Sequence, residues 1–346
     1  MDGQIIKSIY LHLQDEVSKQ NFECRLMYSL TDDYKFVAQM IESLPQKKNV
    51  DELMEKTGQV SGQLIVYGAG NDFKLLSRLY PDFSFKYLCD RDNCKQKNGW
   101  GGYCVISPEQ LISDYPDDYV LITTTGFHKE IYDFLKKNGR KEEHIINVGA
   151  VTGELYRQQY FDDAIMKAVQ DEIFVDGGCY DGSTSRLFAE WCGGNYCKIY
   201  AFEPDVENYN RCKDLESRIK DLKLINKGLW SKASVLRFAG DGSQGSRLVG
   251  EDAADVTEVP VASIDETVAG DKVTFIKLDV EGAELEALKG AKDTIRKYHP
   301  KLAVSIYHKK EDVWEIPAYI LSLCDDYRFY IRHYQFSENE TILYAV

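Results

Sequence analysis

The sequence predicts an α/β protein made of two successive doubly wound units, the first preceded by helices. Three observations carry that reading. In both halves, apolar runs of strand length alternate with helical stretches, the pattern of a parallel sheet with crossover helices. In each half one such run passes straight into a glycine-bearing turn, 64–67 into Gly68-Ala69-Gly70 and 173–175 into Asp176-Gly177-Gly178. At 346 residues the chain is also long for a single compact core.

Residues 1–58 read as a helical segment. Ile6, Ile9, Leu13 and Val17, and again Phe36, Met40, Ile41 and Leu44, recur at spacings of three and four. A first domain over 59–150 holds strands at 64–67, at 85–89 ending before Asp90, and at 119–122 before Thr123-Thr124-Thr125-Gly126, with a helix over 130–137. Ser107-Pro108-Glu109 opens a helix by cap chemistry. A polar, aromatic connector at 154–163 leads through a second domain, 151–346. Its strands are 173–175, 199–202, 222–225, 273–278 and 302–306. Segments 234–238 and 256–261 read as a hairpin across the Gly/Ser-rich loop 240–250. Segments 327–333 and 341–346 are close enough to pair antiparallel.

A net charge of −14, negative in both halves and with no basic stripe, argues against nucleic acid as a partner. No apolar run reaches the ~20 residues of a membrane span. The first residues lack the basic start and apolar core of an export signal, so a cytoplasmic location is expected. The nine cysteines then read as reduced thiols. Cys89/Cys94 and Cys192/Cys197 have no histidine or second pair to complete a metal site, and no metal is expected.

The strongest local signal runs from Phe174 to Thr184. A buried strand ends in Asp176, and the turn Gly177-Gly178-Cys179-Tyr180-Asp181-Gly182 opens a helix. Gly178 is read as letting the backbone approach a ligand, and Gly182 as letting that helix pack close to its strand. The next strand ends in Glu203-Pro204, where an acid can accept both hydroxyls of a ribose. Turn and acid together point to an adenosine-containing cofactor. The G-x-G-x-x-G pattern of dinucleotide sites is absent, and Asp181 would repel a pyrophosphate. Acidic walls suit a sulfonium and an amino group, which favours S-adenosylmethionine over NAD. Asp176, the turn 177–182, Glu203, Pro204, Gly228, Leu229 and Asp279 are the candidate cofactor-binding residues.

From about residue 159 onward the sequence resembles the FkbM-type methyltransferases. The resemblance rests on blocks in order: Tyr160-Phe161-Asp162, 174–185, Ala201-Phe202-Glu203-Pro204, 243–248, 259–265, 275–290 and 300–308. The most specific is Phe275-Ile276-Lys277-Leu278-Asp279-Val280-Glu281-Gly282-Ala283-Glu284. It implies a class I methyltransferase fold and methyl transfer from S-adenosylmethionine to an oxygen, typically a hydroxyl on a sugar or polyketide. Tyr180 departs from the three-glycine loop of many methyltransferases, standing where the middle glycine would be.

Such a transfer needs an aligned acceptor oxygen and a group to take its proton. Asp279 and Glu281 end the fourth parallel strand. If that segment stays extended, the two project to the same side, one carboxylate near the methyl group and one for an acceptor hydroxyl. The structural alternative pairs Asp279 with Lys277 and makes Glu281 a helix cap. His308, just past the fifth strand, is the other candidate base, and the three together could hold a divalent cation. The loop 240–250, with Ser243, Ser246 and Arg247, reads as an acceptor-binding lid or an ordinary hairpin connection.

In the first domain, Tyr67-Gly68-Ala69-Gly70 with Asp90 twenty residues on forms part of a dinucleotide fingerprint, Phe73 replacing the third glycine. This half looks like nucleotide-fold domains attached to some sugar-modifying enzymes. Either it binds a nucleotide or it is a scaffold or partner-binding domain through which the chain self-associates. The expectation is therefore an O-methyltransferase acting on a small-molecule or glycan acceptor. Its rivals are an NAD-dependent sugar-nucleotide oxidoreductase using the first domain, and a non-catalytic S-adenosylmethionine sensor.

Overall fold

The computed structural model describes residues 2–239, 247–248 and 256–346. It contains two compact units. One comprises Ile41–Arg157 with Gln335–Ser337; the other comprises Met1–Met40, Gln158–Tyr334 and Glu338–Val346.

The first unit is a five-stranded, all-parallel sheet: β1 (Leu64–Tyr67), β2 (Tyr87–Cys89), β3 (Val105–Ile106), β4 (Tyr119–Ile122) and β5 (Ile145–Asn147), in the order β3-β2-β1-β4-β5. All four residues of β1 are buried, as an unbroken apolar run demands of a strand covered on both faces. β3 and β5 escaped the sequence reading because two and three residues are too few to show a period. Phe73 stands at the centre of a ring cluster with Phe83, Phe85, Trp100 and Tyr103. The residue in the third-glycine position is thus a core residue here. The expected connector at 154–163 is shorter than read, since the helix Val148–Gln158 runs through it and buries Leu155.

The second unit holds a seven-stranded sheet: β6 (Glu172–Gly177), β7 (Tyr196–Phe202) and β8 (Leu222–Ile225), then β13 (Phe275–Leu278), β14 (Lys301–Ser305), β15 (Phe329–His333) and β16 (Thr341–Ala345). The order is β15-β16-β14-β13-β6-β7-β8, with β16 antiparallel to both neighbours and the rest parallel. The direction of progression reverses between β6 and β13, the place where open sheets of this kind bind ligands. A second sheet, β11-β10-β12-β9, is made from β9 (Gly228–Leu229), β10 (Ser234–Ala239), β11 (Arg247–Leu248) and β12 (Val256–Ala262). The hairpin expected from 234–238 and 256–261 is its β10–β12 pair. Residues 240–246 and 249–250 of the expected lid lie outside the described residues.

The boundary expected at residue 58 falls elsewhere. The helices Gly3–His12 and Glu16–Thr31 belong with the seven-stranded sheet, with Ile9, Leu13 and Phe22 in its core. Asp15 caps the second helix through Ser18 N and grips the Arg332 guanidinium on β15 at 2.6 Å, while Asn21 Nδ2 donates to Ile331 O. A 3.6-residue stripe says that a helix packs on something, not on which sheet. Among the described residues no helix is long and apolar enough to cross a membrane. All nine cysteines are free thiols.

Candidate functional site

The site forms where β6, β7, β13 and β14 end. After β6 the chain folds back over the tip of β7, with Gly178 N and Cys179 N both donating to Phe202 O. Gly178 (φ 77) is glycine because of the protein rather than a ligand: a Cβ there would stand 1.9 Å from the Asp279 carbonyl oxygen. Gly182 (φ 73) makes room for Leu215, whose Cδ1 lies 2.0 Å from where its Cβ would be, rather than for its own strand. Gly177 likewise yields to Leu229, the buried residue of β9, and Gly228 packs beside Val261 and Pro204. Cys179 is buried, while Tyr180 (φ 50) is 62% exposed on the crest of the turn. Asp181 accepts from Ser183 N and so opens the following helix.

Glu203 follows the last residue of β7 and is 5% exposed. Its oxygens accept from Tyr180 N (2.9 Å) and Asp205 N (3.0 Å). Burial raises its pKa against those hydrogen bonds. One acid therefore ties the two loops of the site together and keeps further lone pairs for a hydroxyl donor. Asp176 is placed differently from its expected cofactor-facing position. It is fully buried, accepts from Ser185 Oγ at 2.7 Å and lies 3.2 Å from the Lys277 ammonium. Lys277, also buried, donates to Gly177 O and Gly178 O. The pair stitches β6 to β13 beneath the turn, so Lys277 is a partner of Asp176 and not the direct partner of Asp279 that a same-face pairing suggests.

At the end of β13 the side chain of Asp279 is about a quarter exposed (24%). Tyr160 Oη donates to one of its oxygens at 2.9 Å and Tyr307 Oη to the other at 3.2 Å. His308 Nε2 stands 3.6 Å from Asp279 and 3.5 Å from Glu281. Burial pushes the Asp279 pKa up, but Lys277, His308 and Tyr160 outweigh it and hold the carboxyl below its ordinary range. The segment after Asp279 does not stay extended, because Glu281 (φ 53) and Gly282 (φ 90) turn it. Glu281 nevertheless comes to face His308, by the turn rather than by strand alternation. It is not the helix cap either: Glu284 accepts from Val280 N and Gly282 N.

The Glu284 carboxylate, fully buried, also stands 2.9 Å from His308 Nδ1. Burial disfavours the charged imidazole, but Glu284, Asp279 and Glu281 raise its pKa to about 9. His308 is therefore a cation at neutral pH and has no lone pair to accept a proton. Asp279, Glu284 and His308 offer ligand atoms within 4.8 Å of one another, a set that includes Glu284 in place of Glu281. A metal ion bound there would have to displace the imidazole proton, because a metal ligand must be deprotonated. Glu340 completes the cluster. It accepts from Tyr307 Oη at 3.4 Å and Gln159 Nε2 at 2.5 Å, and burial with the Asp279 charge raises its pKa to about 7.

Sequence reasoning missed Tyr160, Tyr307, Glu284 and Glu340. Tyr160 and Tyr307 sat in the family-like blocks but carried no charge to draw notice. Glu340 precedes β16, a strand inside the sheet, and has no local signal.

Residues 176–338 match the family model described as the methyltransferase FkbM domain. The chain carries an FkbM methyltransferase domain. It is an enzyme of the methyl-transferring class, and the β6–β7–β13 edge belongs to that domain. Its fold is shared with the methyltransferase FkbM of Methylobacillus flagellatus KT, at 20% identity over 92% of this chain and 100% of that one, with a TM-score of 0.50. Also similar are an rRNA methylase of Streptococcus thermophilus (16% identity, 54% of this chain, 90% of that one, TM-score 0.33) and the fibrillarin of Aeropyrum pernix with bound S-adenosyl-L-methionine (12%, 51%, 66%, 0.33). No curated protein matches the sequence.

Proposed function

We propose that the domain moves a methyl group from S-adenosylmethionine to a hydroxyl of a sugar, glycan precursor or similar small molecule. The observation that carries this reading is the convergence on Asp279 of Tyr160, Tyr307 and His308, next to the Gly-rich turn at the switch point of the sheet.

The residues present suit the cofactor. Glu203 and Asp181 put carboxylates around the turn, complementary to hydroxyl donors and a cationic centre, and no basic side chain of the turn competes for them. When bound, S-adenosylmethionine supplies the methyl group as an electrophile. Glu203 accepts ribose hydroxyls at the tip of β7. Asp279 accepts the hydrogen bond of the acceptor hydroxyl and takes its proton as the oxygen is methylated, a contribution of about 10²–10⁴-fold for a positioned base. Tyr160 and Tyr307 fix the carboxylate, and protonated His308 offsets the negative charge gathered there. Glu281, whose side chain is 60% exposed, binds a second hydroxyl of the acceptor. A wall of carboxylates, phenols and an amide suits a polyol better than an apolar acceptor.

The test is to incubate the full chain with methyl-labelled S-adenosylmethionine and fractionated polar extract, then identify the labelled product. Label in an O-methyl group of a hydroxylated small molecule is the expected result. Label only in protein, in nucleic acid or on nitrogen would overturn the acceptor class.

A further inference from the structure

We propose that the five-stranded sheet, which lies outside the residues matched by the methyltransferase family, carries a second ligand site that takes a nucleoside phosphate. A cavity of about 640 Å³ opens at the carboxyl end of β1, where the order β3-β2-β1-β4-β5 reverses. Its volume falls in the range of small-ligand sites, and its position is the general one for open parallel sheets.

Four features of its wall select the ligand. The first is the helix Asn71–Leu79, which begins in the cavity with Gly70 as its N-cap and no side chain capping it. Its first residues, Asn71 and Asp72, line the cavity, and the N–H groups of a helix N-terminus suit an anion. The second is Gly70 itself. Its backbone is extended (φ −138), and a Cβ there would meet nothing within 4 Å. Neither conformation nor packing calls for glycine, yet this is the position where Ser, Asp or Asn would stabilise the helix. A side chain there would instead fill the approach to the free N–H groups.

The third feature is Tyr67, the last residue of β1. It lines the cavity at 2% exposure, and its hydroxyl makes no hydrogen bond, although the Arg91 guanidinium lies beside it. A buried polar group left in that state is costly unless a ligand completes it. The fourth is the opposite rim, where Phe127 is 64% exposed and offers a ring face to a base. Three carboxylates line the cavity and each is engaged by the protein: Asp72 accepts from Thr125 N, Asp90 accepts from Ala69 N and pairs with Lys95, and Asp92 accepts from Cys94 N and Lys95 N. Arg91 and Lys95 also line the cavity, paired with Glu130 at 2.6 Å and with Asp90 at 3.1 Å, and a phosphate would have to share them with those carboxylates.

The experiment uses the full chain and isothermal titration with UDP, ADP, NAD⁺ and inorganic phosphate, each also against Gly70→Asp. That substitution places a favourable N-cap on the helix, so the melting temperature should hold or rise. It also sets a carboxylate beside the bound phosphate, so nucleotide affinity should fall about tenfold or more. S-adenosylhomocysteine binding should be the same in both proteins, which separates this proposal from the one for the methyltransferase domain. Binding of at least one nucleotide, weakened by Gly70→Asp in a protein of undiminished stability, is the expected result. The proposal is overturned if none of the three nucleotides binds at millimolar concentration, if Gly70→Asp binds them as tightly as the native chain, or if phosphate alone binds as tightly as a nucleotide.

Discussion

Gly178 and Asp279 touch backbone to backbone. The Asp279 carbonyl oxygen occupies the space of a Gly178 side chain, so the Gly-rich turn after β6 and the strand end that presents the candidate base are held in one fixed relation.

Gly178→Ala should therefore damage the site from both sides. The positive φ alone costs an alanine about 1–2 kcal/mol, and the clash with Asp279 cannot be relieved by a rotamer change. A lowered melting temperature with loss of methyl transfer is expected. An alanine variant with native stability and turnover would show that the turn and β13 move independently.

Glu203→Ala should weaken S-adenosylhomocysteine binding and also loosen the turn, because Tyr180 N and Asp205 N lose their acceptor. Hydrogen bonds to charged groups contribute about 1.5–3 kcal/mol each. Calorimetric titration reads the first effect and thermal unfolding the second. Affinity equal to that of the native chain would place the ribose elsewhere.

Asp279 and His308 separate by pH. With Asp279 as base and its carboxyl held below the ordinary range, the methylation rate should not climb toward pH 9, and a change near pH 7 would belong to Glu340. Asp279→Asn should lower the rate by about 10²-fold or more, with cofactor affinity changed far less. Were His308 the base, the rate would climb through about 9 as the imidazole loses its proton. His308→Gln should cost less than Asp279→Asn at pH 7. A rate that rises tenfold per pH unit up to about 9 would transfer the role to His308.

Asp312 gives a stability test outside the chemistry. It is buried at the start of the helix Asp312–Leu323, and burial together with the Glu284 charge raises its pKa to about 7. The unfolded chain loses this proton near the ordinary carboxyl value while the folded chain keeps it. The penalty therefore grows as pH rises from about 4 to 7 and is complete above 7. Asp312→Asn removes the charge and retains an acceptor for Lys309 N. Its melting temperature relative to the native chain should be more favourable at pH 8 than at pH 5.5. A difference independent of pH would mean that Asp312 is not held protonated.

The sheet strands were legible because burial on both faces writes itself as an apolar run, as at 64–67 and 119–122. The pairing of 327–333 with 341–346 followed from their proximity. Gly178, Glu203 and Asp279 stood out as strand-end residues, and the fold brings them to one edge. What the glycines accommodate was not legible, because Asp279 O and Leu215 reach them from 101 and 33 positions away in the chain. Nor was the charge state of His308, which depends on a buried Glu284 that the sequence presents as one more helix acid. Asp176 misled for a related reason: a strand-end acid faces a ligand only when no buried lysine claims it.

The grip of Asp15, Ser18 and Asn21 on β15 has a consequence for how the chain is made. Residues 16–31 leave the ribosome about three hundred residues ahead of Phe329–His333, against which they rest. At about 5–20 residues per second, that helix waits tens of seconds with the face that packs on β15 uncovered. Pairing of β15 with β16 is then the event that closes the unit. Truncations near the C-terminus should expose the beginning of the chain as readily as its end, a vulnerability that limited proteolysis of nascent-length fragments would read directly.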